Sequence, residues 1–305
     1  MTIRRRKPVK EDELETVNAI LCSDLHVRAD VPICRIDDFQ QAMFTKLDFI
    51  FNLCRKYDAP LLCGGDIGHR SQWPNWLLER FMALADGVTI ISALGQHDLP
   101  GHNLDELERS ACGVLQRAGT VDFDMVHKRY PVYWITHFGD YLPNENFDGF
   151  FITHRMVIDI KEDYPDQQAD DAVALMKKVP HAKLILTGDN HKPFVVEYGD
   201  QILVNPGSMM RMTAGQWNHK PRVYLYDARR GKVKPVYLPL TEGVVDRSHI
   251  DQEALRDERM KLFTDRIKMD YDDGVSFVDE LRNYLNVNRT WAKTREKIMN
   301  AVEEK

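Results

Sequence analysis

Five short polar motifs, each at the end of an apolar run, constrain this sequence more than any other feature. Each places histidine, aspartate or an amide side chain directly after a stretch with the composition of a buried strand. Buried aspartate and histidine are costly without partners, so core packing explains five such motifs poorly, whereas a metal cluster would give all of them partners. The motifs are SDLH (Ser23–His26), GGDIGH (Gly64–His69), GQHD (Gly95–Asp98), THR (Thr153–Arg155) and GDNH (Gly188–His191).

The apolar runs alternate with helical patterns over the first two thirds of the chain. Strand-like runs at Val17–Ser23 and Ala59–Gly65 enclose a segment in which Phe39, Met43 and Leu47 recur at helical spacing. This alternation predicts an α/β fold with a parallel component. In such sheets ligands gather at the carboxyl ends of the strands, which is where the polar motifs lie. Further helices are predicted at Trp76–Ala85 and Leu104–Leu115, and further strands at Val88–Leu94, Pro131–Thr136 and within Pro180–His191.

The last third of the chain changes character twice. Short β runs without helices occupy Phe194–Leu240 and predict a meander that completes a second sheet. Beyond about Val245 the sequence becomes charged and compatible with helices, at Asp251–Asp270, Val275–Leu285 and Trp291–Val302. We therefore predict a main domain at residues 1–245 and a helical appendage at residues 246–305.

Composition excludes several classes of protein. The chain has 305 residues, 43% hydrophobic and 29% charged, as expected of a globular protein with a sizeable core. It contains no apolar run long enough to span a bilayer and no signal-peptide pattern, so we predict a cytoplasmic protein without a membrane partner. The five cysteines show no CxxC spacing and are expected to be free thiols. The formal net charge of −6 does not indicate nucleic-acid binding, although a local basic patch can outweigh it.

A metal cluster of this composition suits phosphodiester hydrolysis. Two divalent ions roughly 3.5–4 Å apart can make a water nucleophilic and neutralise developing negative charge. Oxygen and nitrogen donors without thiolate suit Mn²⁺, Mg²⁺, Fe²⁺ or Zn²⁺.

The order of the five motifs resembles that of the calcineurin-like metallophosphoesterases. The resemblance covers roughly residues 17–210 and is strongest to the DNA-repair nucleases of the SbcCD type, because of the GGDxxH element. It implies a two-sheet β-sandwich flanked by helices, with residues 1–245 as the catalytic domain. It also implies two metals that share Asp66. The implied ligands of the first metal are Asp24, His26 and His191, and those of the second are Gln96, His154 and Asp189.

The resemblance also implies catalytic roles for residues beside the metals. His97 would be the general acid or would stabilise the scissile phosphate, and Asp98 would orient His97 through a hydrogen bond. His69 would lie near the site. His137 also follows a strand-like run and competes with His154, but we favour His154 because the GDNH strand follows it at a reasonable distance.

Two predicted ligands depart from the family pattern. Gln96 stands where the family usually has asparagine, and Asp189 stands where it usually has histidine. The extra carboxylate favours harder ions, so we predict a preference for Mn²⁺ over Zn²⁺.

Three functions remain open on the sequence alone. The first is a DNA exo- or endonuclease of recombination or repair, which works with an SbcC-like ATPase docked on the helical appendage. The second is a stand-alone phosphodiesterase for nucleotides or small phosphoesters. The third is a degenerate module that binds metal or a partner without catalysis. A homodimer is compatible with each of them.

Overall fold

The computed structural model describes residues 4–5, 16–124, 126–127, 132–140, 142, 149–159, 169–248, 260, 277–287 and 291–303. The chain divides into two compact units, Met1–Val245 and Asp246–Lys305.

The first unit is a mixed α/β structure. Its strands are β1 (Arg4–Arg5), β2 (Ala19–Cys22), β3 (Leu61–Cys63), β4 (Ile90–Ser92), β5 (Val126–His127), β6 (Val132–Thr136), β7 (Gly149–Thr153), β8 (Val157–Ile158), β9 (Asp170–Asp171), β10 (Ala182–Thr187), β11 (Phe194–Tyr198), β12 (Gln201–Asn205), β13 (Arg222–Asp227) and β14 (Lys232–Tyr237). Its α-helices are α1 (Phe39–Tyr57), α2 (Asn75–Ala85), α3 (Ala111–Arg117) and α4 (Ala172–Lys178).

The strands form two large sheets and one small one. The seven-stranded sheet has the order β1-β11-β12-β10-β7-β6-β5, and the five-stranded sheet has the order β14-β13-β2-β3-β4. Strands β8 and β9 pair separately. The strands that precede the polar motifs run parallel to their neighbours: β2, β3 and β4 in one sheet, and β7 and β10 in the other. Their carboxyl ends therefore share an edge within each sheet.

The predicted meander is wrong in one respect. Strands β11 and β12 join the seven-stranded sheet, whereas β13 and β14 join the five-stranded sheet beside β2. The chain thus crosses between sheets after β12, so the segment contributes one hairpin to each. Period and composition are alike in both hairpins, and for this reason the sequence did not separate them.

Alternating residues of the strands build the cores on both faces of the sheets. Leu21 and Leu62 of the five-stranded sheet join a cluster with Ile152 and Leu186 of the seven-stranded sheet, so the two sheets pack face to face. The opposite face of the five-stranded sheet, including Ile20, packs in one cluster with residues of α1 and α2. Helix α4 packs against the outer face of the seven-stranded sheet. The predicted β-sandwich flanked by helices is confirmed.

Helix boundaries follow from capping side chains. Asp38 caps α1 by accepting a 2.9 Å hydrogen bond from the Gln41 amide, and the helix ends at Asp58 in the left-handed conformation. The single helix predicted at Leu104–Leu115 is instead a 3₁₀ helix, Leu104–Arg109, followed by α3. Ser110 separates the two because its extended backbone ends the first and its hydroxyl caps the second, at Gly113.

The second unit contains two described helices, α5 (Phe277–Val287) and α6 (Ala292–Glu303). They share a small apolar cluster that includes Leu281, Leu285, Ile298 and Met299. The helix predicted at Asp251–Asp270 lies outside the described residues apart from Met260. Among the described helices, none is long and apolar enough to cross a bilayer.

Candidate metal centre

All five polar motifs follow the carboxyl ends of strands. The first motif follows β2, and its backbone is tied to the loop after β3: the Asp24 amide donates to the Gly65 carbonyl at 3.0 Å, and the His26 amide donates to the Asp66 carbonyl at 3.0 Å. From the other sheet, the Gly188 amide donates to the carbonyl of Thr153 at 3.2 Å. Asp189, in turn, donates its amide to the Asp24 carboxylate at 3.2 Å, which joins the loops of the two sheets.

The loops adopt backbone conformations that L-residues disfavour. Asp24, His26, Asp66 and Asp189 have φ angles of 50°, 45°, 52° and 72°. Left-handed backbone in non-glycine residues is uncommon and concentrates at functional sites, where the surrounding structure imposes it. All four residues are predicted metal ligands, so the strain coincides with the predicted site.

One half of the site gathers two imidazoles around Asp24. The His26 Nε2 atom lies 3.1 Å from His191 Nε2 and 3.8 Å from Asp24 Oδ1. His191 Nε2 lies 3.6 Å from the same Asp24 oxygen. Asp66 borders this half, with its Oδ2 atom 3.8 Å from His26 Nε2. The geometry brings together the three predicted ligands of the first metal and the predicted bridging carboxylate.

The other half lies on the opposite side of Asp66. His154 Nε2 is 3.5 Å from Asp66 Oδ2 and 4.0 Å from Asp189 Oδ1. The Gln96 amide donates a 2.9 Å hydrogen bond to Asp189 Oδ1. Asp66 therefore faces both halves, as a bridging ligand must. Asp24 also comes within ligand range of Asp66 and His154.

The residues present fit a pair of divalent cations. His154 donates its Nδ1 hydrogen to the Gly64 carbonyl at 2.8 Å, which leaves the lone pair of Nε2 free toward Asp66. Within the described part of the chain, this buried Nε2 atom and the Gln96 carbonyl oxygen have no hydrogen-bond partner. Burial and the negative charges of Asp98 and Asp24 raise the pKa of Asp66 well above its ordinary value. A cation between the carboxylates would reverse this penalty.

Two further imidazoles lie beside the cluster. The rings of His69 and His97 stack, with centroids 5.4 Å apart and an interplanar angle of 14°. Both are close to His26, at centroid distances of 5.5 Å for His69 and 5.1 Å for His97. Burial lowers the pKa of His69 to about 4 and also lowers that of His97.

The predicted hydrogen bond from Asp98 to His97 needs correction. The His97 ring instead places its Nδ1 atom 3.1 Å from the His69 carbonyl oxygen and donates to it. The Asp98 carboxylate accepts backbone amides from Gly68 at 2.8 Å and Gly95 at 2.9 Å. Asp98 is fully buried beneath the loops, so it fixes the backbone on both sides of the stacked pair rather than the His97 ring itself.

The hydrogen bond of the His137 ring is made outside the metal cluster. The Nδ1 atom of His137 accepts a 3.1 Å hydrogen bond from the Leu94 amide, so this ring supports the strand end that leads to Gln96. The segment 205–208 at the end of β12 and the residue after it have a similar supporting position. Asn205 donates to the Asn190 carbonyl, and the Met209 amide donates to the Asp24 carbonyl at 3.1 Å.

Sequence reasoning missed the close approach of glycines to the ligands. A Cβ atom on Gly95 would lie 2.0 Å from Asp66 Oδ1, and one on Gly65 would lie 2.4 Å from His154 Nδ1. The glycines beside the acidic residues in GGDIGH and GQHD were the available signal. It also missed Arg28 and Arg70, which both pair with Asp30, at 2.6 and 3.5 Å.

Comparisons with known proteins agree with this geometry. A model of the calcineurin-like phosphoesterases matches residues 18–193, which is more than half of the 305-residue chain. The chain belongs to the calcineurin-like phosphoesterase family. It is accordingly a metal-dependent phosphoester hydrolase by family, and the matched range contains every predicted ligand.

Two solved structures to which this calcineurin-like phosphoesterase is similar are distant in sequence. One is described as a novel archaeal phosphodiesterase: identity is 13%, the TM-score is 0.42, and the match covers 72% of this chain and 99% of that chain. Another is a hypothetical protein from Pyrococcus horikoshii OT3, with 19% identity, a TM-score of 0.43, and coverage of 80% of this chain and 94% of that chain. No curated protein matches the sequence significantly. The assignment therefore depends on the family match.

Proposed function

We propose that this phosphoesterase is a metal-dependent DNA nuclease. The observation that carries the proposal is the stacked pair of His69 and His97 beside the two halves of the metal centre. Metals at Asp24, His26, His191, Asp66, Gln96, His154 and Asp189 would supply an activated water and neutralise charge on the phosphate. The imidazole pair then provides groups that contact the scissile phosphate and the leaving oxygen.

The hydrogen bonding of His97 suits a role in proton transfer. Because Nδ1–H donates to the His69 carbonyl, the ring presents Nε2 as its second exchangeable site. One ligand atom of His97 lies within 4.8 Å of ligand atoms of His26 and Asp66. A phosphate held at the metals would thus lie within reach of the His97 ring, which in its doubly protonated form can stabilise the phosphate or give the Nε2 proton to the leaving oxygen.

A basic rim next to His69 supports a substrate with more than one phosphate. The backbone amide of His69 donates to the Val27 carbonyl at 3.0 Å, which places the loop after His26 beside the loop after Asp66. Arg28 and Arg70 lie on these loops, and the Arg70 side chain is 73% exposed. An exposed guanidinium near the reacting centre can hold a neighbouring phosphate of a polynucleotide, which a small phosphoester lacks.

The helical unit supports the proposal of a protein partner. Within that unit, Leu281 and Leu285 of α5 are buried, whereas Tyr284, Val287 and Trp291 are exposed large apolar residues. Exposed apolar side chains on a helical pair are typical of a docking surface. An ATPase with a coiled coil, of the SbcC type, is the partner that we propose for it.

We further propose Mn²⁺ as the native metal. Asp189 contributes a carboxylate oxygen next to His154 and Gln96, so the second half of the centre has a predominance of oxygen donors. Such a set favours Mn²⁺ or Mg²⁺ over Zn²⁺. Full activity with Zn²⁺ alone, together with none in Mn²⁺, would contradict this assignment.

The decisive experiment is digestion of end-labelled linear duplex and single-stranded DNA in Mn²⁺, with His97→Ala run in parallel. Cleavage by the wild type that is lost in the variant supports a nuclease. If neither DNA is cleaved while an aryl phosphodiester is hydrolysed, the protein is either a small-molecule phosphodiesterase or a nuclease that is inactive without its ATPase partner. If neither substrate class is hydrolysed by Mn²⁺-loaded protein, the protein is a non-catalytic metal-binding module.

A further inference from the structure

A cavity lies where α1 begins and where the chain leaves β14. It has a volume of about 380 Å³, and none of its lining residues is a predicted metal ligand. Two carboxylates, those of Asp37 and Asp38, line it together with three cationic side chains: Arg35, Lys46 and Arg211. All three cationic residues are nearly buried, with exposed fractions of 8%, 4% and 3%. Charged side chains are rarely buried to this degree unless they are paired.

The two arginines are held in place by the protein itself. Arg35 makes a two-pronged ion pair with Asp37, at 2.8 and 2.6 Å, and donates to the Arg211 carbonyl at 2.9 Å. Arg211 donates to the His219 carbonyl at 2.7 Å, and its contact with the exposed Glu242 is longer, at 3.4 Å. Both guanidinium groups are therefore fixed at the cavity wall before any ligand arrives.

In the part of the chain that the structure describes, the charge of Lys46, unlike the charges of the two arginines, is not balanced by a salt bridge. Lys46 lies in the second turn of α1, on the side facing the cavity, and no hydrogen bond or ion pair to its ammonium group exists among the described residues. Burial, the main cause, and the nearby Arg35 lower its pKa to about 8, although Asp37 acts in the opposite direction. The ammonium nitrogen reaches the open space of the cavity, so a ligand there can contact it, and an anion would reduce the cost of holding it beside two guanidinium groups.

We propose that this cavity binds a small phosphate-bearing anion through Arg35, Lys46 and Arg211. Arg35 is already paired with Asp37, so the charge available to a phosphate comes from Lys46 and Arg211. The two guanidinium groups, fixed at the wall, offer their remaining N–H donors to its oxygens. Because the cations are buried, only a ligand that enters the cavity can contact them, which excludes the backbone of a DNA duplex. The cavity is also large enough for the organic part of a small phosphate monoester, and Ala42, Leu240 and Val244 give it an apolar wall.

The site is separate from the metal centre but shares a segment with it. Arg211 lies two residues after Met209, and the Met209 amide donates a hydrogen bond to the Asp24 carbonyl. The wild-type protein can therefore be tested for binding with its metal centre emptied by excess chelator, so that phosphate cannot bind at the metals. This arrangement also makes a failure of this proposal distinguishable from a failure of the nuclease proposal.

The test is calorimetric titration of the full-length protein, in excess EDTA, with inorganic phosphate and separately with ribose 5-phosphate. We expect saturable binding by the wild type, a loss of at least tenfold in affinity in Lys46→Met, and no change in Lys56→Met, an exposed lysine of the same helix. Tighter binding of ribose 5-phosphate would identify an ester as the ligand, and equal binding would identify free phosphate. Wild-type protein that binds neither compound, or Lys46→Met that binds as tightly as wild type, would overturn the proposal.

Two further measurements separate a ligand site from a structural role of Lys46. Without ligand, Lys46→Met should melt at the same temperature as wild type or higher, because the variant no longer buries an unpaired charge; a lower melting temperature would indicate a structural lysine. Leu240→Trp should weaken phosphate binding by filling the cavity while the three cations remain. A single-stranded oligonucleotide whose binding in EDTA is weakened equally by Lys46→Met would refute a small ligand.

Discussion

Gly95→Ala tests whether the backbone behind Asp66 positions the bridging ligand. Gly95 has a φ of −96°, which alanine adopts without strain, so the substitution acts through the added methyl group alone. That Cβ would lie 2.0 Å from Asp66 Oδ1, about 1.4 Å inside the 3.4 Å at which ordinary contact begins. It would also lie 2.6 Å from Asp66 Cγ and 2.7 Å from the Asp66 backbone nitrogen, so a rotation of the carboxylate cannot relieve the clash.

A displacement of this size at a bridging ligand should be costly for catalysis. A misplacement of about 1 Å can lower a rate by about 10²-fold, which corresponds to about 2.7 kcal/mol of lost transition-state stabilisation. We therefore expect Gly95→Ala to lose on the order of 10²-fold or more in kcat/KM and to bind Mn²⁺ more weakly. The assays are steady-state hydrolysis of an aryl phosphodiester and calorimetric titration with Mn²⁺.

The control is Gly215→Ala, at a glycine outside the motifs. A Cβ there would meet only the Thr213 hydroxyl, at 3.9 Å, so activity should remain at the wild-type level. A thermal melt of each variant checks that the fold is retained. Folded Gly95→Ala with wild-type kcat/KM and Mn²⁺ affinity would refute the argument that the glycine is required for the position of Asp66.

Four other substitutions probe the centre and its support. His97→Ala should keep both metals by elemental analysis yet lose on the order of 10²–10⁴-fold in turnover; loss of metal would show that His97 is a ligand instead. Asp66→Asn should abolish hydrolysis and lower metal occupancy, because the bridge loses its charge, and full occupancy would argue against bridging. Asp189→His should shift the preference of the enzyme toward Zn²⁺ in a metal-activation series, and an unchanged preference would remove Asp189 from the ligand set. Leu47→Ala, at a fully buried position of α1, should lower the free energy of unfolding by about 2–5 kcal/mol in denaturant titration, whereas a loss below about 1 kcal/mol would mean that the cavity collapses.

Local pattern predicted those features that depend on neighbours in sequence. The apolar run before Asp24 and the spacing of Phe39 and Met43 gave β2 and α1, because strand and helix periods are read over a few residues. Because parallel strands align their carboxyl ends at one edge of a sheet, the positions of the motifs at strand ends predicted that the motifs would lie close together.

The sequence pattern did not predict features that depend on contacts between residues distant in the chain. The hairpins β11–β12 and β13–β14 have the same alternation, and only packing decides which sheet each of them joins. His97 pairs with a backbone carbonyl 28 positions away, a partner that no side-chain motif encodes. The burial of Lys46 is not encoded in α1 alone, because the cavity that it lines also includes Arg211 and Leu240 from distant parts of the sequence.

The left-handed backbone at Asp24, His26, Asp66 and Asp189 has a consequence for how this sequence can change over time. Each such residue opposes folding by on the order of 1 kcal/mol relative to glycine, so the ligand loops are retained in spite of their effect on stability. A laboratory selection for heat resistance alone would accordingly accumulate glycine or asparagine at these positions before altering the core. Copies of the gene that are no longer selected for activity but are still selected for stability should change in the same direction, so glycine or asparagine at these four positions would be a sign of lost activity.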